Sequence, residues 1–140
     1  MVSLKDKIRN SYAVDLAAEE EGVWIPFDGF ELKIRRANSV VAQDAHDKAS
    51  KPFAQDINNK KLSDEDAATI GTRYLCYGLI ADWRGEVFTD SKKKAIPFTK
   101  EACMDTFGAP DLKDLQMEIL TISTNGANYK IKTDEEEMGN

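Results

Sequence analysis

The chain is poor in the residues that most often do chemistry. It has one histidine, two cysteines and four prolines in 140 residues. His46 lies between Asp44 and Asp47 on the polar side of a helical pattern, with no nucleophile singled out for it to serve, so it reads as a surface histidine. Cys76 and Cys103 stand alone, outside any Cys-x-x-Cys pair, and read as buried free thiols; a reducing compartment disfavours a disulfide between them. No run approaches the roughly 20 apolar residues needed to cross a bilayer. The opening Met1-Val2-Ser3-Leu4-Lys5-Asp6 is charged almost at once, unlike a signal peptide. The chain is therefore expected to remain in the cytoplasm.

Other chemistries lack their residues too. No glycine-rich phosphate cradle is present. The carboxylate runs Glu19-Glu20-Glu21 and Asp64-Glu65-Asp66 fan around a helix or alternate along an extended chain, so they do not converge on one point. Asp82-Trp83-Arg84-Gly85-Glu86 lacks the ligand spacing of a calcium loop. No catalytic residue, metal ligand set or cofactor is expected.

What is present describes a globular protein. Hydrophobic residues make up 41% and charged residues 31%, enough for one domain with a real core. Of the net charge of −6, Asp134, Glu135, Glu136 and Glu137 account for four. Such a balance disfavours non-specific nucleic-acid binding, which needs lysine and arginine against phosphate. The local clusters Lys33-Ile34-Arg35-Arg36 and Lys92-Lys93-Lys94 read as solvated faces.

Val23, Ile25 and Phe27 alternate with Trp24 and Pro26, Asp28-Gly29 follows, and Phe30, Leu32 and Ile34 alternate again. This predicts a hairpin over about 22–36. A lone hairpin is marginal in water, so it must lie on the helices. Trp24 faces away from Val23, Ile25 and Phe27; either a helix covers it or it meets a partner. Helices are predicted at about 39–57, 64–83, 100–107 and 111–124, capped near Asn38, Ser63 and Thr99. The longest, with its stripe from Ala67 to Trp83, should be the central core helix. Its Gly71 and Gly78 imply close approach of a neighbour. Leu4 and Ile8 permit a short helix at the start. The fold expected is α+β: a mainly α-helical bundle with a small N-terminal β-hairpin, one domain over 1–128, and a mobile acidic tail over 129–140.

The order of Glu21-Gly22-Val23-Trp24, Arg35-Arg36-Ala37-Asn38, Ala81-Asp82-Trp83 and Ile96-Pro97-Phe98-Thr99 resembles the tail assembly chaperones of long, non-contractile-tailed bacteriophages. The likeness spans about residues 12 to 122. It departs from that pattern at Lys92-Lys93-Lys94, where a turn richer in glycine and aspartate is expected. The resemblance implies a non-enzymatic helper in the host cytoplasm, absent from the finished particle. Its client would be the tape measure protein, held soluble while the tube polymerises. Many such chaperones also exist in a longer, frameshifted form whose extension contacts the tail tube protein. Multivalent holding of one client implies self-association, with no role for nucleic acid or membrane. Trp24, Phe27, Met117 and Leu120 are the expected contact residues, Met117 and Leu120 because they widen the apolar face of the last helix. The alternative is a minor structural or adaptor protein of the phage tail.

Overall fold

The structure is a computed structural model and describes residues 3–131. Strands β1 (Val23–Pro26) and β2 (Glu31–Ile34) pair antiparallel, Val23 opposite Ile34 and Pro26 opposite Glu31. Gly29 takes φ +82° in the connecting turn, and the Phe27 amide donates to the Phe30 carbonyl at 2.8 Å. β1 is an edge strand, as the missing amide of Pro26 favours.

The predicted helix over 64–83 ends early. Four helices precede it: α1 spans Leu4–Tyr12, α2 Leu16–Glu21, α3 Val40–Ser50 and α4 Ala54–Asn58. α5 (Asp64–Arg73) starts at Ser63, whose hydroxyl accepts from the Asp66 amide at 3.1 Å. It loosens into a π-helical turn at Tyr74–Leu79 and then runs straight into strand β3 (Ile80–Arg84). β3 pairs antiparallel with β2, giving the order β1-β2-β3. Ile80 and Trp83 are three apart, a spacing that suits one face of a helix and opposite faces of a regular strand. The register resolves this conflict. Ile34 pairs with Ile80 and Lys33 with Asp82, so Ala81 is an extra residue that bulges the strand. Both Ile80 and Trp83 are thereby buried. The unfilled edge of β2 gains a partner, which an isolated hairpin would lack.

The helices gather against the inner face of this sheet. Ser39, rather than Asn38, caps α3, accepting from the Ala42 amide at 3.2 Å. Its buried stripe is Ala42, Ala45 and Ala49, while Val40 and Val41 point outward. Those small residues let the π turn come close. A Cβ on Gly78 would stand 3.0 Å from both Ala42 Cα and Ala45 Cβ. Gly71 differs from expectation, since a Cβ there would meet nothing within 4 Å. Pro52 interrupts the 39–57 helix with a 3-10 turn at Lys51–Phe53 before α4. α6 (Lys100–Phe107) is capped by the Thr99 hydroxyl, and α7 (Lys113–Thr124) follows a 3-10 turn led by Pro110. The Lys92-Lys93-Lys94 stretch is a tight turn: the Asp90 carboxylate accepts from the amides of Lys92 and Lys94, and Lys93 takes φ +63°. The result is α+β and mostly helical, with the helices layered on three strands rather than arranged purely as a bundle.

Arg35 and Arg36 are ties within the body rather than a solvated basic face. Arg35 donates to the carbonyls of Glu20 and Gly78, and burial lowers its pKa. Arg36 pairs with the buried Glu19 at 2.6 Å. The tail expected from 129 is corrected at its root. Tyr129 closes a 3-10 turn (Gly126–Tyr129), is wholly buried, and donates its hydroxyl to the Ile34 carbonyl at 3.0 Å. Val14 bridges to Lys130 beside it. The acidic run from Asp134 to Glu137 lies outside the described residues.

Candidate functional site

The apolar surface is uneven, and its clearest concavity lies between α5 and α7. α7 packs on the π turn more than on α5, and the two helices leave a groove of about 320 Å³. Leu75 and Leu79 form its buried floor, and Ala68 and Gly71 give the α5 wall its low profile. The α7 wall carries Met117 and Leu120. Met117 is 61% exposed, whereas Leu120 is half-buried and packs against the core. An open apolar trough with a flexible thioether on its rim suits a helical or extended apolar segment.

The other two expected contact residues are elsewhere. Trp24 pairs with Lys33, which in turn pairs with Asp82, so it occupies the outer face of the sheet. The Arg84 guanidinium lies 4.0 Å above its ring, and Glu31 holds that arginine through two hydrogen bonds of 2.9 and 3.0 Å. The same bonds lower the Glu31 pKa. Trp24 is thus neither core nor bare: a cation covers it, at a spacing suited to cation–π attraction. Phe27, at the hairpin turn, stacks on Phe30 with centroids 5.2 Å apart. It belongs to the margin of the core.

An aromatic cluster lies under the loop after β3. Trp83 and Phe88 stack at 4.3 Å, Phe98 meets Trp83 edge-on at 5.2 Å, and the indole donates to the Ile96 carbonyl at 2.9 Å. A smaller pocket of about 260 Å³ opens there, with Val87 and Ile96 exposed at its mouth. These contacts hold the loop in place.

Among the described residues no three of His, Cys, Asp or Glu are grouped to hold a metal ion, and no helix is long and apolar enough to cross a membrane. His46 is exposed, with its ring edge-on to Tyr74 at 5.2 Å. Cys76 and Cys103 are free and buried. A hydrogen bond with Cys76, together with burial, pushes the Cys103 thiol far above its ordinary value, so it is held as an unreactive thiol.

Residue-level reading missed the exposure of the first helix. α1 buries none of its residues, and Leu4, Ile8 and Tyr12 are 73%, 53% and 74% exposed. The four-residue spacing of Leu4 and Ile8 was visible; that both stay exposed was not.

A family profile described as YdaY prophage protein matches residues 37–140, from just after β2 through the end of the chain. No curated protein and no solved structure matches the chain.

Proposed function

The chain belongs to the YdaY prophage protein family, and from that premise we propose that it is a tail assembly chaperone. In this reading it binds the tape measure protein and keeps it soluble while tail tube subunits polymerise around it. It works by binding alone, in the host cytoplasm, and leaves before the particle is complete. The tail tube protein would be reached through a longer, frameshifted form.

The open apolar groove between α5 and α7 is the observation that carries this reading. A holding protein needs accessible apolar area that its own fold does not cover, together with charge that keeps the complex soluble. Met117 and Leu120 line that groove, and the chain carries a net charge of −6. A shallow trough of this size gives modest affinity per copy, so release remains easy and several copies hold one long client through multivalency.

Co-expression with the large tape measure gene product of the same prophage tests the proposal. The chaperone should raise the client's soluble yield and co-purify with it, and Met117→Asp should reduce both. Recovery of the chain as a stoichiometric component of purified particles, with no effect on client solubility, would instead identify a structural tail protein.

A further inference from the structure

We propose that the basic pocket between α3, the π turn and the start of α6 is a second binding site, for an acidic and partly apolar segment of a partner protein. It shares no lining residue with the α5/α7 groove. It stands whether or not the client of that groove is the tape measure protein.

The pocket has a volume of about 290 Å³. α3 supplies its apolar wall: Ala45 and Ala49 are buried, and Val41 is 41% exposed. These three recur at intervals of four and so share one face of the helix. Tyr77 of the π turn adds a half-buried ring. Lys48, Arg73 and Lys100 stand around it against a single lining carboxylate, Asp44. Three cations against one anion make the lining positive in a chain whose net charge is −6. Those cations are only lightly engaged. Lys48 meets Asp44 at 3.0 Å in an exposed pair one helical turn apart, a kind that holds weakly. The Lys100 ammonium lies 5.4 Å from the centre of the Tyr77 ring, an attraction that leaves ammonium donors to spare. Arg73 is half-buried and, among the described residues, forms no ion pair.

Charge and lining together select the occupant. A guanidinium is a rigid fork matched to a carboxylate, and two ammonium groups line the same pocket. A bare oxyanion would satisfy the cations but leave the Val41, Ala45 and Ala49 face unused. An acidic segment that also carries apolar side chains uses both halves. The volume lies at the floor of the range for small-molecule sites, about 300–1,000 Å³, which suits a few side chains better than a large cofactor. Nucleic acid binds by neutralising many phosphates along its backbone, and three cations with an acid among them are a short footprint for that. The α5/α7 groove differs, because Lys113 is the one charged residue lining it. The two sites therefore favour different segments, apolar in the groove and acidic in the pocket.

Titration of the full chain with a short synthetic peptide of glutamate and leucine, followed by calorimetry and amide NMR shifts, tests this. The shifts should cluster on α3 and at Arg73, Tyr77 and Lys100. Lys100→Gln and Arg73→Gln should each weaken binding by about tenfold, the loss of one charge-assisted contact. Arg73→Lys, which keeps the charge without the fork, should recover part of it. Val41→Ser should weaken the glutamate–leucine peptide more than one of glutamate and serine. Lys100 is exposed, so its variant should fold normally, with circular dichroism and melting as the check. Met117→Asp, in the other groove, should leave the affinity unchanged. Absence of peptide binding overturns the proposal, as does binding that Lys100→Gln and Arg73→Gln both leave intact. Tighter binding of inorganic phosphate or of a single-stranded oligonucleotide at the same residues overturns it too. So does peptide binding seen only in a full chain carrying Asp134→Asn, Glu135→Gln, Glu136→Gln and Glu137→Gln together, which would assign the pocket to the chain's own acidic run. Failure to co-purify with the tape measure protein while the peptide still binds would sink the client reading alone.

Discussion

The N-terminal helix and the C-terminal turn lie beside each other, joined through the Val14–Lys130 bridge, yet they have opposite fates. The four-residue turn Gly126–Tyr129 has a single large anchor, and that ring is wholly buried with its hydroxyl bonded to β2. The nine-residue α1 has three large apolar groups and buries none. Regular structure and burial are thus separable. A capped helix forms from local hydrogen bonds, while burial needs a second surface of matching shape. In this chain the irregular segment belongs to the core, and the regular one stays exposed.

The sharpest way to break that contrast is to remove the buried anchor. Tyr129→Ala should cost about 3–5 kcal/mol, the range for deleting a large buried ring, and urea denaturation would measure it. Tyr129→Phe keeps the ring and leaves the Ile34 carbonyl without its donor, costing about 1–3 kcal/mol. Burial also raises the Tyr129 pKa above its ordinary 10.0, with Arg36 opposing. The folded state therefore favours the neutral hydroxyl. That stabilisation is complete below pH 10 and declines as pH rises beyond it, so the wild type should lose stability on the alkaline side more steeply than Tyr129→Phe. An equal alkaline slope in the two proteins would refute this assignment.

Two glycines sharpen the contrast between covered and uncovered faces. Gly78→Ala forces a methyl against Ala42 and Ala45 at 3.0 Å and should destabilise by about 1–3 kcal/mol. Gly71→Ala enters open space in the groove and should stabilise by about 1 kcal/mol through helix propensity. Thermal melts of the pair should move in opposite directions. Smallest of all, Ile8→Asp should leave monomer stability within about 0.5 kcal/mol, because an uncovered side chain has no packing to lose. A larger loss would mean that α1 is already packed on its own body.

The hairpin, the caps at Ser63 and Thr99 and the last helix were legible because each depends on neighbours in the sequence. Ser63 caps because its hydroxyl reaches an amide three residues on, whatever the rest of the chain does. β3 was not legible. Residues 80–84 continue a stripe with helical spacing, and only the open edge of β2 and a bulge at Ala81 convert it to strand. Half of the expected contact set came together: Met117 and Leu120 share the groove, whereas Arg84 covers Trp24 and Phe27 joins the core margin. Exposure of an aromatic depends on distant partners, and Arg84 stands sixty positions from Trp24.

By itself the amino-acid order determined where several helices start, that one hairpin forms at Asp28-Gly29, and that the chain is rich in carboxylates but poor in imidazole and thiol. Those properties are set by local hydrogen bonds, backbone φ preferences and composition. Tertiary structure decided the rest: that a helical stripe finishes as an edge strand, that Tyr129 is core, and that among the described residues α1 stays exposed and a groove opens between α5 and α7. Burial is a relation between surfaces far apart in the chain, so the pattern of either surface alone cannot specify it.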